Sequence, residues 1–185
     1  MRWYNEPKTW AMVEDTITVT ADRATDFWRK THYGFIKDDG HFYYQERTGD
    51  FRCDVKVIGQ YATLYDQAGL MVRVDETTWI KCGIEFVDGV QHVSAVVTRD
   101  FSDWSVVPLP SNPEALWLRL TRTGSAIEIS YALDGSRYTL LRLATLAEAA
   151  ALQVGVMCAA PQGEGFPVTF AGFALSDPQS DPLRE

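Results

Sequence analysis

The dipeptide Asp88-Gly89 lies between two runs of alternating residues, and it constrains this chain more than any other feature. Asp-Gly is favoured in two-residue hairpin turns, where both central positions need positive φ. Closing a hairpin there sets Val87 opposite Val90. Counting back pairs Glu85 with His92, Ile84 with Val93, Gly83 with Ser94, Cys82 with Ala95, Lys81 with Val96 and Ile80 with Val97. Side chains alternate across a strand. Ile80, Cys82, Ile84 and Phe86 therefore share one face, and Trp79, Lys81, Gly83 and Glu85 share the other. The apolar positions collect on the first face, with Val96 the exception. A slip of one residue would destroy this agreement, so the pattern itself specifies the register.

The preceding run, residues 68–74 (AGLMVRV), adds a third strand. If Ala68, Leu70, Val72 and Val74 face the core, then Gln67, Gly69, Met71 and Arg73 fall on the polar face. That face carries Gln67, Arg73, Trp79, Lys81, Glu85, His92 and Ser94. Gly69 and Gly83 leave a depression without side chains at its centre. A solvated sheet face would also be polar. The sharper reading is a binding surface, because a Trp, an Arg, a Lys, a Glu and a His together are unusual for a plain exterior. Lys81 and Glu85 are separated by ~13 Å at the usual strand rise, too far to pair along a regular strand. Asp66 joins the candidate ligand-binding residues at the start of the strand, its direction left open by the pattern. Trp104, in the turn-rich segment FSDWS at residues 101–105, joins them as a stacking ring.

Elsewhere the chain reads as further strands: 16–20, 41–45, 51–58, 116–122, 126–133, 137–143, 153–159 and 168–175. About eleven short strands with Gly/Asp turns describe an all-β sandwich. Residues 143–152 (LATLAEAAAL) are the only good candidate for a short helix. Residues 22–40 are irregular and aromatic-rich, and read either as a packed Ω-loop or as one wall of a cleft. The 185 residues fit one domain over 1–176, followed by a polar tail at 177–185.

Composition excludes some functions. A net charge of −8 argues against nucleic-acid binding, and no apolar run is long enough to span a membrane. The N-terminus lacks the apolar region of a secretory signal. Cys53, Cys82 and Cys158 all sit in apolar patterns and read as buried thiols, pointing to a cytoplasmic protein. No C-x-x-C, G-x-S-x-G or phosphate-cradling glycine loop occurs. Asp100 and Asp103 are weak calcium candidates, since two carboxylates in a turn are usually caps. The reading expects no metal and no cofactor.

The run LWLRLTRTGSAIEISYALDGSRYTLLR resembles a hairpin unit of the concanavalin A-like lectin/glucanase superfamily. YDQAGLMVR, WIKCGIEFVDG, SAVVTRDFSDWS and VTFAGFALS resemble a largely uncharacterised branch of it, the branch related to fungal regulators of enolase. The resemblance spans residues 3–176. It implies a concanavalin A-like jelly-roll sandwich of two curved antiparallel sheets, whose concave sheet binds sugars in wider relatives. Glucanases of that superfamily carry paired carboxylates on one strand. Here Glu85 stands alone, so no catalytic residues are assigned.

Three functions follow as expectations. The first is a binding module for a saccharide or small polar metabolite, with Arg73 and Lys81 leaning toward an anionic ligand. Truncating Lys81 or Glu85 should then abolish binding without loss of stability. The second is a protein-interaction or regulatory domain acting on a metabolic enzyme. The third is a glycosidase or lyase using Glu85 and His92. Exposed sheet edges make a monomer or a homodimer the expected state.

Overall fold

The structure, a computed structural model, describes residues 1–178. The expected tail lies, from residue 179 onward, outside the described residues. In chain order the strands are β1 (Arg2–Tyr4), β2 (Thr9–Val13), β3 (Thr16–Thr20), β4 (Phe27–Arg29), β5 (Ile36–Asp38), β6 (His41–Thr48), β7 (Phe51–Gly59) and β8 (Gln67–Arg73). They continue as β9 (Thr78–Val87), β10 (Val90–Arg99), β11 (Phe101–Pro108), β12 (Leu116–Thr123), β13 (Ala126–Ala132), β14 (Thr139–Thr145), β15 (Ala151–Ala159) and β16 (Pro167–Ser176). One seven-stranded antiparallel sheet runs β1-β6-β15-β8-β9-β10-β11, and a second runs β14-β13-β12-β7-β16-β3-β2. The architecture is the expected all-β jelly-roll sandwich. None of the described helices could cross a membrane, for the described residues contain no helix.

The β9–β10 register is the one that Asp88-Gly89 imposes, from Val87↔Val90 through Ile80↔Val97. Both turn residues have positive φ, 51° and 83°. Between the two sheets lies a core that includes Leu70, Val72, Ile80, Cys82, Ile84 and Val93 from the first sheet and Val55, Leu118, Leu120 and Phe170 from the second. The three cysteines are free and buried there. Burial alone pushes the Cys82 thiol up to about 12, so it rests as an inert protonated thiol.

Two local expectations are corrected. Residues 143–152 form no helix: they close β14, cross a loop and open β15. The segment is too short to hold a helix alone, and its backbone is engaged elsewhere. Leu146 N–H donates to the Ser125 carbonyl, and Arg122 donates to the Ala149 carbonyl. The FSDWS segment is not a turn but the start of β11, paired with β10 from Arg99↔Phe101 outward. The reversal needs only Asp100, at φ 60°, a conformation that Asp tolerates better than most residues.

The irregular stretch 22–40 folds into a small two-stranded hairpin, β4–β5, lying over the outer face of the first sheet. There Phe27 and Trp28 pack with Met71, Trp79, Val96 and Met157 into a second apolar cluster. Val96, the exception to the parity rule, is buried because this hairpin covers it. At the sheet centre, Gly69 lies opposite Gly83. A β-carbon on Gly69 would come within 1.9 Å of the Cys82 carbonyl oxygen, so the strands approach too closely there for any side chain.

Candidate functional site

Between the hairpin and the outer face of the first sheet is a cavity of about 300 Å³. Its walls are the rings of Trp28, Tyr33, Phe35, Tyr65 and Trp104, and its floor carries Asp26, Gln67, Lys81, Glu85 and Val96. Trp104 meets Tyr65 edge-on at 6.3 Å, and Tyr33 stacks on Phe35 at 5.7 Å. Tyr65 is held at φ 68°, with its hydroxyl 3.4 Å from that of Tyr33. That hydrogen bond, with burial, pushes the Tyr65 hydroxyl up to about 12.

The floor is a polar chain. Lys81 Nζ donates to the Phe27 carbonyl at 2.7 Å and to Gln67 Oε1, and lies 3.5 Å from Asp26 Oδ1. The Gln67 amide donates to Asp26 Oδ1 and to the Tyr65 carbonyl, both at 3.2 Å. Glu85 is buried. Its Oε2 accepts from Ser94 Oγ at 2.8 Å and from the Trp104 indole N–H at 2.9 Å. Among the described residues, nothing donates to its Oε1. Burial holds the Glu85 carboxyl above its ordinary value of 4.5, and the nearby Lys81 charge and these two hydrogen bonds only partly offset this.

Gln67, Lys81, Glu85, Ser94 and Trp104 thus come together at or beside the cavity. The other candidates do not. Arg73, expected to meet an anionic ligand, is 4% exposed and makes a bidentate pair with Asp38 of β5 at 2.6 and 2.8 Å. Trp79 is fully buried beneath the hairpin, with Phe27 edge-on at 6.2 Å, and offers no face for stacking. Asp66 is buried, and its Oδ2 braces the preceding turn by accepting the N–H groups of Ala62 and Thr63. His92 sits opposite Glu85 in the register, but its Nδ1 lies 3.0 Å from the Val90 carbonyl while Glu85 bonds the diagonal Ser94. No hydrogen bond joins Glu85 to His92 among the described residues. The calcium candidates are engaged with cations: Asp100 with Arg29 and Lys30, and Asp103 with Arg142.

Of the cavity residues, Trp28, Tyr33 and Phe35 belong to the stretch 22–40 that the sequence offered as a packed loop or one wall of a cleft, whereas Asp26 and Tyr65 were not singled out. The signal for a cover was present in Met71 and Val96, two apolar residues on an otherwise polar face.

The comparisons with known proteins agree with the fold and give the family. A family model described as "Protein of unknown function (DUF1349)" matches residues 3–178. The chain belongs to the DUF1349 family. Among its relatives is "Regulation of enolase protein 1" of Saccharomyces cerevisiae, 39% identical over 99% of this chain and 92% of that protein. A functionally unknown protein from Saccharomyces cerevisiae, known from its crystal structure, superposes with a TM-score of 0.93 at 39% identity, covering 97% of each chain. The carbohydrate-binding module CBM66 from Bacillus subtilis superposes at TM-score 0.59 with 13% identity over 95% of each chain, a likeness of fold alone.

The floor makes one prediction about stability. Because burial raises the Glu85 carboxyl, the folded protein binds that proton more tightly than the unfolded chain does. The ionised side chain therefore subtracts stability above the raised value. The penalty fades as pH falls through it toward 4.5. Glu85→Gln, whose carbonyl still accepts from Ser94 and Trp104, should melt at or above the parent at pH 7. The gap should close toward pH 4.5. Thermal unfolding followed between those values checks this, and a gap that does not change with pH would count against it.

Proposed function

We propose that this chain is a binding module for a saccharide or small polar metabolite, held in the aromatic cavity under the β4–β5 hairpin. One observation carries the reading: a buried carboxylate, Glu85, keeps one oxygen open at the floor of a cavity walled by five aromatic rings. A volume of about 300 Å³ is the lower end of the range for small-ligand sites, and apolar walls with a few convergent polar groups are their usual make-up. Trp104 and Tyr65 would take the apolar face of a sugar ring, and Glu85 would take its hydroxyls. The fold shared with a carbohydrate-binding module fits the reading. The buried free thiols fit a cytoplasmic location.

The test is a thermal-shift screen with neutral oligosaccharides, uronic acids, sugar phosphates and amino sugars. A ligand at ~100 times its dissociation constant adds about 2.7 kcal/mol of apparent stability. Trp104→Ala should weaken any hit at least ~10-fold; the free protein should lose only modest stability, since Trp104 is 37% exposed and the loss is that of its one hydrogen bond to buried Glu85. A blank across the whole panel would defeat the proposal.

A second reading, a protein-interaction or regulatory domain, is favoured by the printed name of the yeast relative and by the exposed Tyr33, Phe35 and Ile36 on the hairpin. Under it, a specific metabolic enzyme would co-purify with the protein, and sugars would not compete.

A further inference from the structure

The hydrogen-bond inventory of the cavity specifies more than a polar ligand. This step rests on the reading that the cavity is a binding site. Every donor on the floor is already spent within the protein. Lys81 serves Phe27, Gln67 and Asp26, and both amide hydrogens of Gln67 go to Asp26 and Tyr65. The indole N–H of Trp28 goes to the Thr31 carbonyl, and that of Trp104 to Glu85. On the floor what remains open is acceptor only: Glu85 Oε1 and, second to it, Asp26 Oδ2, neither of which takes a hydrogen bond among the described residues; the open donors, the Gln162 amide, one hydrogen of Lys37 Nζ and one of the paired Tyr33 and Tyr65 hydroxyls, belong to the surrounding walls.

The charges point the same way. Two ammonium groups line the cavity, Lys37 and Lys81. Lys37 pairs with Asp39 at 3.0 Å, and Lys81 lies 3.5 Å from Asp26. Setting those pairs aside leaves Glu85 as the one carboxylate lining the cavity without an ion-pair partner among the described residues. The walls add five aromatic rings, a surrounding that favours a cation through the ring quadrupoles, more so away from water. An anion would meet a carboxylate and find no free donor on the floor. The anionic leaning suggested by Arg73 and Lys81 is therefore reversed: both cations are consumed in holding the hairpin down.

We infer that the ligand enters with a protonated amine, as an amino sugar or a comparable amine-bearing polyol, its ammonium against the open oxygen of Glu85 and its apolar face on the aromatic walls. The interaction is a charge-assisted hydrogen bond in a low-dielectric site, the strong kind.

The experiment uses three β-1,4-linked glucose-type disaccharides that differ only at C2, carrying an amine, an acetamide or a hydroxyl. Each is titrated calorimetrically into the full chain at neutral pH and near-physiological salt, which screens the overall negative charge. The amine should bind at least ~10-fold more tightly than either congener, and Glu85→Gln should erase most of that advantage. Equal or tighter binding of a neutral congener would overturn the amine inference while leaving the binding-site reading intact. Amine binding that survives Glu85→Gln unchanged would place it outside this cavity and overturn the inference too. If none of the three binds and the wider screen is blank, both readings fall together.

Discussion

Replacing Arg73 with alanine is expected to cost about 3–5 kcal/mol of folding stability, the usual penalty for breaking a buried ion pair from one side. The guanidinium is 4% exposed and grips both oxygens of Asp38, at 2.6 and 2.8 Å. Tyr4 completes the cluster. Its ring lies 4.5 Å under the guanidinium, and its hydroxyl donates to Asp38 at 2.6 Å. Burial, then the bond to Asp38, pushes that hydroxyl up to about 12, so it remains a donor throughout the physiological range. Removing Arg73 would leave the Asp38 carboxylate with one neutral donor in a mostly buried setting. Arg73→Lys should recover only part of the loss, because an ammonium cannot span both oxygens. The decisive comparison is the double variant Arg73→Met with Asp38→Leu, which removes both charges. It should be more stable than Arg73→Ala, since the main penalty is the orphaned partner rather than the absent pair. Chemical denaturation of the three variants measures this. An Arg73→Ala protein with parental stability and lost ligand affinity would instead restore Arg73 to the binding surface.

The case of Arg73 shows what was legible in the sequence and what was not. Parity and one Asp-Gly turn were enough to set the whole β9–β10 register, because a period of two leaves only one alignment that buries Ile80, Cys82 and Ile84 together. The same parity placed Arg73, Trp79, Lys81 and Glu85 on the outer face, where they are. It could not show what lies on top of them. The cover comes from two three-residue strands, too short to leave a period, joined through Lys30, His32 and Gly34 at positive φ. Its anchoring pair, Arg73 and Asp38, is separated by 35 positions, and no local pattern encodes such a contact. Only Met71 and Val96 betrayed it, since an apolar residue on a solvated face needs something to bury it. Trp104 was placed beside the site while its segment was misread as a turn, because the Pro-rich stretch after it obscured an edge strand that runs to Pro108.

Lys81 is the second anchor, and Lys81→Met should be as severe as Arg73→Ala, costing about 3–5 kcal/mol for a broken buried pair. The sequence alone suggested a free cation awaiting a ligand, and its loss would then spare stability. The geometry gives it a different task. Nζ is 2.7 Å from the Phe27 carbonyl on β4, and it also holds Gln67 and Asp26. Lys81 thus ties the hairpin, through Phe27, to the middle of the sheet. Methionine keeps much of the apolar stem but leaves a carbonyl, an amide oxygen and a carboxylate without their shared donor, each at a desolvation cost. Asp26→Asn added to Lys81→Met should recover part of the loss by neutralising the orphaned carboxylate. Hydrogen exchange can locate the damage. Amides of β4 and β5 should exchange faster, while those of the β12–β13 hairpin in the other sheet keep their protection. Ligand affinity should fall with the hairpin, because Trp28, Tyr33 and Phe35 leave the cavity wall when it lifts. A Lys81→Met protein that keeps its melting temperature and its β4–β5 protection but loses ligand would assign the ammonium to the ligand instead, and with it the cavity would regain a preference for anions.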